Sequence, residues 1–251
     1  MTDTSTKAPR GRRTRLFVDA PLAPGSAVPL DGDQTHYLRN VLRLSAGAAV
    51  LAFNGRDGEW DCELAALGKK SGTLIASTQR RAQAGGPDCW LLFAPVKSTR
   101  TDFLVEKATE LGARQLVPVL TRLTQTTRIK VSRQQAHAIE AAEQCGRLDV
   151  PQVLAPRPLA AVLDDWPPER ALLFCDEAGG APLSAVAGRM AQAAPVAILV
   201  GPEGGFDEDE RALLRARPFV HAVSLGPRIL RAETAGVAAL AIALAAMEQE
   251  D

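Results

Sequence analysis

Two glycine-proline turns in the last fifty residues hold the side chains and backbone best suited to chemistry. The first is Leu199-Val200-Gly201-Pro202-Glu203-Gly204-Gly205-Phe206. The apolar run Val196–Val200 leads into it. Asp207, with Glu210 three residues later, forms a capping-box pattern that opens a helix. The second is Leu225-Gly226-Pro227-Arg228-Ile229-Leu230-Arg231, entered from His221–Leu225 and followed by Glu233 and Thr234. Glycines let main-chain N–H and C=O groups approach a ligand with no side chain in the way. In an open α/β sheet, ligands gather at the carboxyl ends of strands. One such stretch is equally a plain tight turn; two strand–Gly-Pro–helix units in succession point to a shared site. No Lys-Ser/Thr pair follows the glycines and no G-x-G-x-x-G occurs, so the pattern is not a nucleotide phosphate loop. Glu203, Asp207, Glu208, Asp209 and Glu210 would repel a polyphosphate and suit a neutral or cationic ligand, such as a sulfonium.

Two further groups stand apart from these turns. Glu143-Gln144-Cys145-Gly146-Arg147 reads as a helix end at which Gly146 breaks the helix and turns Arg147 outward; an ordinary C-terminus with Arg complementing the dipole is the other reading. Between Lys97 and Arg133 there are eight basic residues against three acidic ones. Lys97 and Arg100 follow a strand end. Arg122 and Arg128 sit in a polar stretch whose one apolar residue is Leu123. Such donors suit a phosphate backbone or a solvated loop.

The elements that must position these residues fall into two textures. From Thr14 to Thr78 the chain reads as short strands: Arg15–Val18, Ala49–Phe53, Trp60–Leu67 and Thr73–Ser77. Asn54-Gly55 and Asp57-Gly58 mark a hairpin between two of them, and Thr35–Leu42 reads as one short helix. A small β-barrel over residues 14–80 is expected. The polar, glycine-bearing stretch Arg80–Asp88 is the expected linker. Residues 88–251 then alternate strand and helix: strands at Cys89–Pro95, Gln115–Val119, Ala171–Cys175, Val196–Val200 and His221–Leu225. The expected helices are Thr101–Leu111 closed by Gly112, Ser132–Cys145 with Ser132 as N-cap, Leu183–Ala193, Asp207–Arg217 and Thr234–Gln249. This alternation predicts a parallel sheet covered on both faces. The last helix has no polar face, so it must be covered all round, by its own domain or by a second chain.

Composition bounds the rest. The chain has 251 residues, 46% of them apolar and only 4% aromatic, so a core of Leu, Val and Ala is expected. Its 29 basic and 29 acidic residues balance, so any nucleic-acid contact must rest on local charge. The four cysteines are widely spaced, with no C-x-x-C pair, which argues against a zinc ribbon and fits a reducing compartment. Met1–Arg15 is polar and basic without an apolar run, unlike a secretory signal; residues 1–13 read as a disordered tail or as an RNA-touching arm. The apolar run Ala235–Met247 is too short to cross a bilayer. A cytoplasmic protein with no metal and no membrane association is expected.

The strings L-V-G-P-E-G-G-F and L-G-P-R-I-L-R-A-E-T-A resemble those of the RsmE family of 16S rRNA (uracil-N3) methyltransferases, in the SPOUT superfamily. The resemblance extends through Lys97-Ser-Thr-Arg100, Glu106-Lys-Ala-Thr-Glu-Leu-Gly112, Glu143-Gln-Cys-Gly-Arg147 and His36-Tyr-Leu-Arg-Asn-Val-Leu-Arg43, covering roughly residues 14 to 247. It implies a PUA-like β-barrel followed by a trefoil-knotted α/β methyltransferase domain, a homodimer, and S-adenosylmethionine as cofactor. The implied substrate is a decoding-region uridine of small-subunit rRNA, in a 30S or nearly assembled particle. Leu199, Gly201, Pro202, Gly204, Gly205, Leu225, Gly226, Ile229 and Leu230 are the expected cofactor residues. Arg147 and Arg231 are expected to stabilise charge on the uracil oxygens. Glu143, Glu203 and Glu233 are unranked candidates for accepting the N3 proton. Lys97, Arg100, Arg122, Arg128 and Arg39 are expected to meet RNA. Two rival expectations are a SPOUT methyltransferase acting on another RNA nucleotide and a non-catalytic RNA-binding ribosome assembly factor.

Overall fold

The computed structural model describes residues 14–191 and 195–247, which fall in two compact units divided between Ala84 and Gly85. The expected basic tail, residues 1–13, and the end of the last expected helix lie outside the described residues.

The first unit carries a five-stranded sheet. Its elements are β1 (Arg15–Phe17), β2 (Ala27–Leu30), α1 (Gly32–His36), β3 (Ala49–Phe53), β4 (Glu59–Leu67) and β5 (Gly72–Arg81), in spatial order β1-β3-β4-β5-β2. The Asn54–Gly58 turn joins β3 to β4 with Phe53 opposite Glu59. Asn54 shapes that turn: its Oδ1 accepts the N–H groups of Arg56 and Asp57. The single helix expected over Thr35–Leu42 is instead α1 followed by a π-helical turn, Tyr37–Val41, closed by the Leu42 N–H donating to the Tyr37 carbonyl. Strand β2 escaped the sequence pattern because Pro29 interrupts an otherwise weak alternation. Leu16, Val28, Leu38, Val50, Trp60, Leu64 and Leu74 form this unit's core.

The second unit runs β6 (Cys89–Phe93), α2 (Ser98–Leu111), β7 (Gln115–Leu120), α3 (Val131–Cys145), β8 (Gln152–Val153), β9 (Arg157–Pro158), α4 (Leu159–Asp164) and β10 (Ala171–Cys175). It continues with β11 (Ala181–Pro182), α5 (Leu183–Ala191), β12 (Val196–Val200), α6 (Glu208–Arg215), β13 (Val220–Ser224) and α7 (Ala232–Met247). Strand and helix alternate except where β8 and β9, and β10 and β11, follow one another. The sheet order is β11-β13-β10-β12-β6-β7-β8 and every pair is parallel. Side chains alternate across it. Leu91, Phe93, Leu173, Ile198 and Val200 join a core with α2, α3, α5 and α7. Leu92, Phe174, Ala197 and Leu199 join a second core on the other face, with Trp166, Phe206 and Leu214.

Three helix starts in the second unit differ from the sequence expectation, α7 among them, which begins at Ala232 rather than Thr234. α2 begins at Ser98 rather than Thr101, because the Lys97 carbonyl already accepts the Arg100 and Thr101 N–H groups. α3 begins at Val131, and Lys130 before it offers no side-chain cap, so Ser132 is inside the helix rather than its cap. α6 starts as expected: Asp207 accepts the Glu210 N–H at 2.7 Å and Glu210 accepts the Asp207 N–H at 3.3 Å.

The position of β10 matters most for the site. It precedes β12 in sequence yet lies between β12 and β13. The carboxyl ends of three adjacent parallel strands therefore open side by side, as at a topological switch point.

Candidate functional site

A cavity of about 280 Å³ lies at those three strand ends, near the lower limit of the ~300–1,000 Å³ common for small-molecule sites. The loop after β12 contributes Val200, Gly201, Pro202 and Gly205; the loop after β13 contributes Leu225 to Leu230. The two Gly-Pro turns thus converge on one space. Ala232 and Ala235, at the start of α7, complete one wall.

Most of the expected cofactor residues line this cavity, but two do not. Leu199 is fully buried in the opposite core, because strand alternation gives the cavity side to its neighbour Val200. Gly204 faces outward, under Leu123: a Cβ there would lie 3.3 Å from the Leu123 Cβ. Gly205 is required differently. Its φ of +69° is left-handed, and a Cβ would run into the Glu177 carboxylate.

The loop after β10 forms the third wall, with Cys175, Asp176, Glu177 and Gly179. The sequence reading passed over it, although Gly179-Gly180 after an apolar strand was a visible signal. The Asp176 side chain is fully buried and takes Arg211 Nε at 3.2 Å and Arg215 Nη2 at 2.7 Å. Glu177 pairs with the same Arg211. Burial pushes the Cys175 thiol up to about 12, so it stays neutral and is a poor nucleophile.

The acidic residues of the first motif, expected to favour a cationic ligand, do not line the cavity. Glu203 pairs with Arg100 at 3.1 Å. Asp207 and Asp209 pair with Arg122 at 2.9 and 2.7 Å. Glu208 and Glu210 belong to α6, and Glu210 is 8% exposed within the capping box. The Glu210 N–H, and next the Arg122 guanidinium, hold the Asp207 carboxyl below its ordinary value. The lining carboxylates are Asp176 and Glu177.

Arg100 joins two other expected residues. Besides Glu203, its Nε lies 3.6 Å from Glu233 Oε1. One guanidinium at the start of α2 therefore links the first motif loop to the start of α7. Glu233 is 9% exposed, and its Oε2 is buried without a hydrogen-bond partner among the described residues. Arg231 is exposed at the lip between Leu230 and Ala232.

Arg147 departs from the expected outward orientation. Its guanidinium donates to the Thr109 and Ala113 carbonyls at 2.7 and 2.9 Å and pairs in a fork with Asp149. Gly146 does end α3 in a left-handed conformation, but the turn directs Arg147 back onto the end of α2. Neither Arg147 nor Glu143 lines the cavity. Of the expected RNA contacts, Lys97 and Arg128 are exposed, whereas Arg100 and Arg122 already face carboxylates. Arg39 belongs to the first unit and donates to the Gly68 carbonyl at 2.9 Å. Among the described residues no group of three His, Cys, Asp or Glu side chains is placed to hold a metal, and no helix is long and apolar enough to cross a membrane.

Comparison with known proteins follows this division of the chain. Residues 86–244 match the family model of an RNA methyltransferase domain, and residues 30–76 that of an RNA methyltransferase PUA domain. The ribosomal RNA small subunit methyltransferase E of Rickettsia conorii is 30% identical, over 90% of this chain and 93% of the relative. That of Synechocystis is 33% identical, over 90% and 76%. The crystal structure of the Neisseria gonorrhoeae ribosomal RNA small subunit methyltransferase E, bound to S-adenosyl methionine, superposes with a TM-score of 0.83. It is 27% identical, with 92% of this chain and 96% of that one covered. A Legionella pneumophila structure with bound SAM gives 0.82 at 26% identity, covering 94% and 98%. With a parallel-sheet SPOUT-type domain, a PUA-like sheet domain before it and a relative of this similarity matched nearly end to end, the chain belongs to the ribosomal RNA small subunit methyltransferase E family.

Proposed function

We propose that the chain transfers a methyl group from S-adenosylmethionine to N3 of a specific uridine in the decoding region of small-subunit rRNA, acting as a cytoplasmic homodimer. The observation that carries this reading is the convergence of the Gly201-Pro202 and Gly226-Pro227 turns on one cavity. The cavity suits that cofactor. Val200, Val223, Leu225 and Leu230 offer an apolar bed for a flat base, and the turns expose main-chain groups. The similar structures from Neisseria and Legionella carry it bound.

Bound there, the cofactor supplies an electrophilic methyl on a sulfonium. The chain supplies positioning and help with one proton. Uracil N3 lies on the Watson–Crick edge, so the base must be unpaired or turned out to be reached. Arg231, at the lip, is placed to stabilise negative charge developing on a uracil oxygen. Glu233 does not itself line the cavity, but it stands on α7 between the lining residues Ala232 and Ala235 and its Oε2 has no donor among the described residues; we assign it the N3 proton, which it takes once its side chain turns towards the cavity. Arg100 orients it. Glu143 and Glu203 lack that feature. Of the expected RNA contacts in the second unit, Lys97 and Arg128 are exposed to phosphates, whereas Arg100 and Arg122 would have to exchange carboxylates for phosphates. A second copy is supported by α7: Thr234, Ala241 and Ala245 form an exposed stripe on an otherwise apolar helix.

Nucleoside mass spectrometry of 16S rRNA tests the reading. A strain lacking the gene is expected to lose 3-methyluridine, the wild-type gene to restore it, and Glu233→Gln to restore it at least roughly 100-fold more slowly while calorimetry finds cofactor affinity unchanged. Undiminished 3-methyluridine in the deletion strain would overturn the substrate; full activity of the variant would remove Glu233 from the mechanism.

A further inference from the structure

The loop that walls the cavity has two sides. Gly201, Pro202 and Gly205 face the cavity, while Gly204 faces Leu123. Leu123 belongs to the turn after β7, which is closed on itself: the Thr121 N–H donates to Thr124 Oγ1 at 2.9 Å and the Thr124 N–H to the Thr121 carbonyl at 3.1 Å. This turn is fixed to the far end of the same motif loop. The Arg122 N–H donates to Glu210 Oε1 at 2.8 Å, while Glu210 Oε2 accepts the Asp207 N–H. Both oxygens of one buried carboxylate thus join the turn to the start of α6. The Arg122 guanidinium adds exposed pairs to Asp207 and Asp209.

We propose that the Thr121–Thr124 turn is a strap that preorganises the cofactor loop, with Leu123 and Glu210 as its positioning residues. The inference rests on the cavity's being the S-adenosylmethionine site. A loop with two adjacent glycines has many conformations to lose when a ligand binds it. Leu123 occupies the space outside Gly204 and removes the outward ones, and Glu210 fixes where the loop ends. Neither residue lines the cavity, so neither touches the cofactor. Leu123 is 42% exposed, so shortening it excavates no core.

The experiment measures cofactor affinity by calorimetry, together with KM for each substrate, kcat and thermal unfolding. Leu123→Gly is expected to weaken S-adenosylmethionine binding about tenfold, raising its KM with kcat and the KM for RNA unchanged. Unfolding should shift little. The steric relation gives a second signature. Gly204→Ala in the wild type forces its Cβ against Leu123 and weakens binding. In the Leu123→Gly background the same substitution meets open space, restricts the loop and recovers affinity. Glu210→Gln keeps an acceptor for the Arg122 N–H and is expected to bind more tightly than Glu210→Ala. Wild-type affinity in Leu123→Gly, or no recovery in the double variant, overturns the strap. Failure of the wild type itself to bind S-adenosylmethionine overturns the underlying reading instead.

Discussion

A single half-buried guanidinium shows how a side chain's partners decide its role. Arg147 is 11% exposed, holds two carbonyls at the end of α2 and forks onto Asp149. Removing it leaves those carbonyls and a carboxylate without their donor, a loss of about 3 kcal/mol for a partly buried network. Arg147→Ala is therefore expected to lower the unfolding midpoint by several degrees while cofactor affinity, read by calorimetry at a temperature where the variant is folded, stays at the wild-type value. An unchanged midpoint with lost turnover would return Arg147 to the chemistry. At this scale the Gly-Pro turns were legible, because glycine and proline constrain the backbone locally. Partners were not. Arg147 and Arg231 are both exposed-looking arginines after a polar or apolar turn, and only packing puts one on carbonyls and the other at the lip. Leu199 and Val200 are likewise equivalent apolar residues until the sheet assigns each a face.

The element that transmits these contacts to the cavity is α6. Its cap is shared between Asp207, Glu210 and the strap, so its start and the cofactor loop are fixed together. Asp207 has a folded-state carboxyl below the ordinary 3.8, held there first by the Glu210 N–H and then by Arg122. A depressed carboxyl contributes stability that is fully present above the unfolded-state value and is lost as pH falls through the folded one. Asn caps a helix nearly as well as Asp, so Asp207→Asn removes the charge and keeps the cap. The wild type is expected to be the more stable of the two by a constant margin above about pH 5, narrowing as pH drops below about 4. Thermal unfolding across that range checks it, and a margin independent of pH would mean the charge is not what holds the cap. The capping box itself was legible from Asp207 and Glu210, since both residues lie within one turn. Its third member, the Arg122 N–H, comes from 88 residues away and left no local trace.

Across the whole molecule, the strand order is what completes the site, and it is the part least visible in the chain. Alternating strand and helix patterns give a parallel sheet, but nothing periodic says that β10 sits between β12 and β13. That placement brings Asp176 and Glu177 to the cavity and lets Arg211 and Arg215 of α6 neutralise them. It also keeps every lining residue, from Cys175 to Ala235, within the second unit. Each unit closes its own core: Leu16 to Ala76 in the first, Cys89 to Leu244 in the second. A fragment comprising residues 85–251 is therefore expected to unfold cooperatively and to bind S-adenosylmethionine within about twofold of the intact chain. Turnover on ribosomal RNA should fall sharply, because the fragment lacks the PUA-like unit and with it Arg39, an expected RNA contact. Calorimetry on the fragment, beside a methylation assay with small-subunit particles, separates the two. Loss of cofactor binding would mean that the first unit helps to shape the cavity, whereas full turnover would take RNA recognition away from it and leave Lys97 and Arg128 as the main contacts.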